Sequence, residues 1–140
     1  MTHRPGPRGR GARSNATGRF EAYEREAFDD GWTEEDEAAP KLSTVVLKDA
    51  SRSIISKNNS PDIAFDQSIN TYRGCEHGCV YCYARPSHAY WGYSPGLDFE
   101  SVIFSKPDAP ALLEEAFNRS SYRPKPIMIG ANTDAWQPVE

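Results

Sequence analysis

The chain has only three cysteines, Cys75, Cys79 and Cys82, and no fourth in its 140 residues. An odd count in so short a stretch argues against a disulfide framework and for metal binding in a reducing compartment. Long apolar runs are missing as well, for nothing approaches the roughly 20 residues that cross a bilayer. The opening residues, Met1-Thr-His-Arg-Pro-Gly-Pro-Arg, hold no apolar stretch of the signal-peptide kind, so a cytoplasmic protein with no membrane partner is expected. Hydrophobic content is 38%, mean hydropathy is −0.70, and 11 prolines and 10 glycines interrupt the chain. That composition predicts a partly disordered molecule with its core in the second half.

Charge is uneven beneath a net value of −4. Residues 1–20 carry Arg4, Arg8, Arg10, Arg13 and Arg19 with no acid, whereas residues 21–39 carry nine acids against Arg25 alone. From Pro40 onward 10 basic residues face 11 acidic ones, which predicts no obvious field for a polyanion. Residues 1–40 therefore read as a disordered charged arm. Nucleic-acid binding by its arginines is the alternative to a merely solvated terminus. Within the arm, Phe20, Tyr23, Phe28 and Trp32 are loosely helical in spacing and predict a weak helix over 20–28.

A peripheral lead-in over 41–63 follows, with β-type runs at 44–47 and 53–56 that predict a hairpin, and a turn at 58–62. Residues 64–140 read as α/β. A strand over 64–72 runs into the cysteines, and Pro86 and Gly92 bound a short helix over 84–92. A turn at 93–97, a strand at 101–105 and a helix from an Asp108 cap to about Arg119 come next, its stripe being Leu112, Leu113, Ala116 and Phe117. A fully apolar strand at 127–129 ends in Gly130-Ala-Asn-Thr-Asp134. Such alternation argues α/β.

The cysteines are spaced C-x3-C-x2-C in Gly74-Cys-Glu-His-Gly-Cys-Val-Tyr-Cys-Tyr. Three thiolates would leave one iron of a four-iron cubane without a protein ligand, and Gly74 and Gly78 would let the loop aim them at one point. Zinc is the other reading, with His77 or His88 completing a Cys3His set. His77 otherwise reads as a loop-surface residue and His88 as a satisfied helix residue, while Tyr90, Trp91 and Tyr93 read as packing. Arg85 is read as the partner of a carboxylate, of substrate or of protein.

With Tyr81 at its aromatic position, the motif resembles the C-x3-C-x-aromatic-C loop of the radical S-adenosylmethionine (SAM) enzymes. Tyr83 after Cys82, and the segments Ser51-Arg-Ser-Ile-Ile, Ser60-Pro-Asp-Ile-Ala-Phe-Asp and Ile69-Asn-Thr-Tyr-Arg-Gly, are similar to the spore photoproduct lyase-like branch. The resemblance covers about residues 51–140. It implies a [4Fe-4S] cluster on Cys75, Cys79 and Cys82, SAM on the open iron, Tyr81 beside adenine, and an electron donor such as flavodoxin or ferredoxin. It also implies the first one or two units of a partial (β/α)6 barrel, hence an N-terminal fragment of a longer protein, with substrate residues beyond Glu140. Such a fragment is expected to be poorly stable and inactive by itself.

Gly130, Asn132, Thr133 and Asp134 would line the methionyl side of SAM by likeness to the Ser-Cys-Thr-Ser-Asp segment of those lyases. Thr133 keeps the hydroxyl of its second serine, but Ala131 replaces the cysteine that returns a hydrogen atom. The substrate is left open, nucleic acid being one candidate, and Tyr83 is a candidate for radical transfer. A different class of protein is a non-catalytic module that uses zinc or iron–sulfur as a staple and the N-terminal arginine arm to hold nucleic acid.

Overall fold

The computed structural model describes residues 9–24 and 42–140. Six short strands, β1 (Val45–Lys48), β2 (Ile55–Lys57), β3 (Gln67–Ile69), β4 (Tyr72–Arg73), β5 (Val102–Ser105) and β6 (Ile127–Ile129), form two three-stranded sheets. One has the order β1-β5-β4, with β1 parallel and β4 antiparallel to β5. The other has the order β2-β3-β6, with β2 antiparallel and β6 parallel to β3. Helices α1 (Leu97–Ser101) and α2 (Ala109–Asn118), and a 3-10 helix Arg85–Trp91, connect them.

The local signals place several elements as expected. Pro86 sits in the first turn of the 3-10 helix, and Gly92, at φ +76°, ends it in the left-handed conformation that glycine adopts freely. The strand read over 64–72 is broken between β3 and β4, which join different sheets.

The hairpin expected from 44–47 and 53–56 does not form. β1 pairs with β5 and β2 with β3, so each run joins a different sheet and pairs with a strand farther along the chain. Asp108 precedes α2 but makes no side-chain cap; its carboxylate pairs with Lys48 at 2.7 Å instead. Of the α2 stripe, Leu112 and Leu113 pack on Ile54, Ile69 and Ala109, whereas Phe117 lies exposed against Tyr122. The expected turn at 93–97 runs directly into α1, a single turn too short to carry its own helical signal. Burial of Leu97 and Phe99 holds it in place.

Within the stretch read as a disordered arm, residues 9–16 lie against the body, held by hydrogen bonds to Glu100, Asp98 and Leu97. Of the expected helix over 20–28, residues 20–24 are not helical; Phe28 and Trp32 lie outside the described residues.

A second small core, Cys75, Ala84 and Phe99 with Cys82 beside it, lies under the cysteine loop.

Candidate functional site

β3 and β6 are parallel neighbours, so the chain leaves both at the same end of the sheet. That end is where open α/β sheets gather functional loops. After β3 comes Asn70, then β4, then the cysteines; after β6 comes the 130–134 loop. Gly74, at φ +76°, turns the chain out of β4, and the Cys75 amide is pinned to the Phe99 carbonyl at 2.9 Å. Each cysteine then opens a tight turn. The carbonyls of Cys75, Cys79 and Cys82 accept from the amides of Gly78, Cys82 and Arg85 at 3.1, 3.2 and 3.4 Å.

Hydrogen bonds stitch the two loops together. Asn132 N donates to Asn70 Oδ1 at 2.8 Å, and Thr133 Oγ1 to the Tyr72 carbonyl at 2.6 Å. Glu76 N donates to Gln137 Oε1 at 2.9 Å, and Gln137 Nε2 to Cys75 Sγ at 3.4 Å. The Tyr83 hydroxyl adds a further link, to the Ala131 carbonyl. Between the loops lies a cavity of about 440 Å³, bordered by Cys75, Cys79 and Cys82 on one side and Gly130, Asn132, Thr133 and Asp134 on the other.

Cys75 is buried, Cys82 half-buried and Cys79 exposed. Among the described residues, no three cysteine, histidine, aspartate or glutamate side chains converge closely enough to hold one metal ion. A cubane makes a different demand, because each thiolate meets its own iron. Three thiols bordering one cavity, with an amide N–H already aimed at the first, suit that demand. Thr133 and Asp134 also border the cavity, but their polar atoms are engaged: Thr133 on Tyr72, Asp134 on Trp136 N at 2.9 Å and on His77 at 3.3 Å.

Tyr81 is 86% exposed and does not border the cavity. Tyr83 borders it from an exposed position. His77 stands at the rim, its Nε2 also 3.2 Å from the Trp136 carbonyl. His88 is fully buried among Tyr93, Phe99 and Phe104, with Nε2 donating to the Val102 carbonyl at 2.9 Å; burial lowers its pKa and keeps it neutral.

Arg85, expected to meet a carboxylate, meets Glu100 at 2.5 Å and also reaches the carbonyls of Gly78 at 2.7 Å and Cys79 at 3.0 Å. It is nearly buried and Glu100 wholly so, hence this is no surface salt bridge. Burial alone would raise the Glu100 pKa, but Arg85 and the amides of Gly11, Ala12 and Arg10 overcome it and hold the carboxyl ionised.

Gln137 and Glu100 carry no sequence signal as site residues. A lone glutamine after a tryptophan acquires its role through contacts 61 and 62 residues back along the chain, and Glu100 through Arg85, 15 residues back, and the amides of residues 10–12, 88–90 residues back.

A second concave surface of about 740 Å³ lies between β2 and α2. Arg52, Lys57, Arg119, Arg123 and Lys125 border it against the single acid Asp66, which Lys125 engages. The near-even count of charges after Pro40 concealed this clustering.

No family model and no solved structure matches the chain. Uncharacterized proteins of Mycobacterium bovis (Mb2609c) and Mycobacterium tuberculosis (Rv2578c) are each 39% identical to it over 82 residues, which is 59% of this chain and 24% of theirs. The chain thus spans about a quarter of the length of the curated relatives it matches. Among the described residues no helix is long and apolar enough to cross a membrane.

Proposed function

We propose that the chain is the cluster-bearing part of a cytoplasmic radical SAM enzyme of the photoproduct lyase-like kind, with Cys75, Cys79 and Cys82 as the ligands of a [4Fe-4S] cluster. The observation that carries this reading is the single cavity between the three thiols and the 130–134 loop. Reduced by a flavodoxin- or ferredoxin-type donor, such a cluster supplies the electron that splits SAM to a 5′-deoxyadenosyl radical.

The chain's own part is to hold and exclude. Gln137 orients Cys75, Arg85 fixes the carbonyls on either side of the Cys79 amide, and Gly130, Asn132, Thr133 and Asp134 form the wall opposite the sulfurs. On this reading Tyr81 must swing from solvent toward the cavity to contact adenine. Ala131 has no S–H hydrogen to give, so thymine-dimer repair by the lyase mechanism would need another residue as the hydrogen donor, and the substrate stays open. Further βα units, in a protein of the relatives' length, would continue the sheet from β6 and complete the partial barrel.

Anaerobic reconstitution of the chain, and of a full-length mycobacterial relative, tests the proposal. A brown protein with about four irons, paramagnetic on reduction, is the expected result, with release of 5′-deoxyadenosine from SAM expected of the full-length relative. Replacement of any one cysteine by serine should abolish it. A colourless protein with stoichiometric zinc and no iron uptake would overturn it.

The second reading, a metal-stapled nucleic-acid-binding module, is favoured by one observation, the five cations around the groove between β2 and α2. It requires affinity for nucleic acid that falls with salt, with the slope reduced by about 1 for each phosphate-contacting cation removed.

A further inference from the structure

Residues 9–16 lie against the cysteine loop and α1 in a fit that leaves no room for a side chain at Gly11 or at Gly96. A Cβ at Gly11 would stand 2.0 Å from the Gly78 carbonyl oxygen, and one at Gly96 would stand 2.0 Å from that of Ser14. Backbone therefore meets backbone at both contacts.

The docking point is Glu100, whose carboxylate accepts from three successive amides: Arg10 at 2.5 Å, Gly11 at 3.1 Å and Ala12 at 2.5 Å. Three consecutive N–H groups around one carboxylate form an anion-binding nest. The same carboxylate holds Arg85, which grips the carbonyls of Gly78 and Cys79. Arg10 extends over the loop to Thr44 Oγ1 at 2.9 Å and Glu76 Oε1 at 3.0 Å, Glu76 being the neighbour of Cys75. Farther along, Asn15 and Asp98 exchange hydrogen bonds at 2.9 and 3.1 Å, and Ser14 accepts from Leu97 N at 3.1 Å.

We propose that residues 9–16 are a strap that positions the cysteine loop, with Glu100 as its docking post and Arg85 as the link from post to loop. The strap clamps the Gly78–Cys79 peptide between Gly11 and Arg85. Arg10, far from being free to meet phosphate, is used inside the protein. The effect of the strap on a cluster rests on the function proposed above; its effect on the loop does not.

The test uses the full chain with Gly11→Ala, Glu100→Gln and Arg10→Ala, and Arg13→Ala as the control from the same segment. Amide hydrogen exchange is read at Gly78 and Cys82 without iron, and iron retention against a chelator is read after reconstitution. We expect Gly11→Ala and Glu100→Gln to exchange at least tenfold faster at Gly78 and Cys82, with α2 amides unchanged, and to lose iron at least tenfold faster. The reduced-cluster paramagnetic spectrum should also broaden, which a loss of stability alone would not cause. Arg10→Ala should show the same changes more weakly, and Arg13→Ala none.

Wild-type exchange at Gly78 and Cys82 in both strong variants would overturn the strap. Faster exchange spread equally over α2 would mean general unfolding, and Arg10→Ala, which removes no buried carboxylate and inserts no Cβ, then decides: wild-type exchange at Gly78 and Cys82 in that variant would overturn the strap. Faster loop exchange in a protein that takes up no iron at all would retain the strap and reject the cluster.

Discussion

The Gln137 side-chain amide donates to Cys75 Sγ at 3.4 Å while its carbonyl accepts from the Glu76 amide at 2.9 Å. One buried side chain thereby fixes both the sulfur and the backbone beside it. Hydrogen bonds to cluster sulfurs raise reduction potentials by favouring the more negative, reduced form. With the cluster proposed above bound, Gln137→Leu should therefore retain iron but be harder to reduce, by tens of millivolts; about 59 mV corresponds to tenfold in a one-electron equilibrium. Potentiometric titration followed by paramagnetic resonance checks this, and an unchanged potential would separate Gln137 from the cluster. The variant also leaves the Glu76 amide unpaired, at a cost of about 1–3 kcal/mol.

Gly74 connects β4 to the first cysteine at φ +76°, where a Cβ would stand 2.8 Å from the Val102 carbonyl oxygen and 2.9 Å from His88 Cε1. Both the left-handed backbone and the crowding oppose any larger residue. Gly74→Ala should lose about 1–3 kcal/mol of stability and should bind iron poorly even where it folds. Urea midpoints and iron content measure the two effects, and an alanine variant with wild-type values would refute the role of this turn.

Asp49 is buried, accepts from Ser51 N at 2.8 Å, and pairs with Arg73 at 2.8 Å. Burial pushes its pKa up, but the hydrogen bonds from Ser51 and Arg73 outweigh this and bring it down to about 2 from 3.8. A carboxyl depressed by folding contributes stability above its unfolded pKa and loses it as pH falls through the folded one. Stability should thus drop by about 2 kcal/mol between roughly pH 4 and pH 2 from this group. Asp49→Asn should remove that part of the acid sensitivity and be less stable at pH 7, where Arg73 and Lys106 are left without their carboxylate. Denaturant titrations at pH 7 and pH 3 provide the comparison.

Tyr83 spans the cavity mouth to the Ala131 carbonyl from a side chain that is 75% exposed. So exposed a bond contributes little, and Tyr83→Phe should cost under about 1 kcal/mol. In the full-length enzyme proposed above it should load iron and cleave SAM as the unsubstituted protein would, because its hydroxyl faces backbone rather than the sulfurs. Loss of either property would move Tyr83 into the cofactor site.

How far the sequence foretold this depends on the range of the interactions concerned. The 3-10 helix between Pro86 and Gly92, the strand before Asp108, and the apolar run at 127–129 are set by neighbours within a few residues, and all were legible. The meeting of Cys75, Cys79 and Cys82 with the 130–134 loop was expected only through the resemblance of both segments to the photoproduct lyase-like branch; the parallel pairing of β3 with β6 that brings them together was not read from the sequence. Strand partners were not legible, because Val45–Lys48 pairs with Val102–Ser105 across more than 50 residues of chain. Nor was the strap, since Gly9, Arg10 and Gly11 read as disordered until Glu100 is placed opposite their amides. Glu100 itself is an ordinary acid in the sequence and a structural post only where three N–H groups and Arg85 surround it.

β6 has β3 on one side and, among the described residues, no strand on the other, and its Ile129 is 58% exposed. Unsatisfied strand edges with apolar side chains recruit whatever extended backbone they meet first. In a crowded preparation that would be another copy of the same edge, joining two sheets into one continuous ribbon. Dilution, or covalent continuation of the polypeptide into a neighbouring strand, would then govern whether the chain remains in solution.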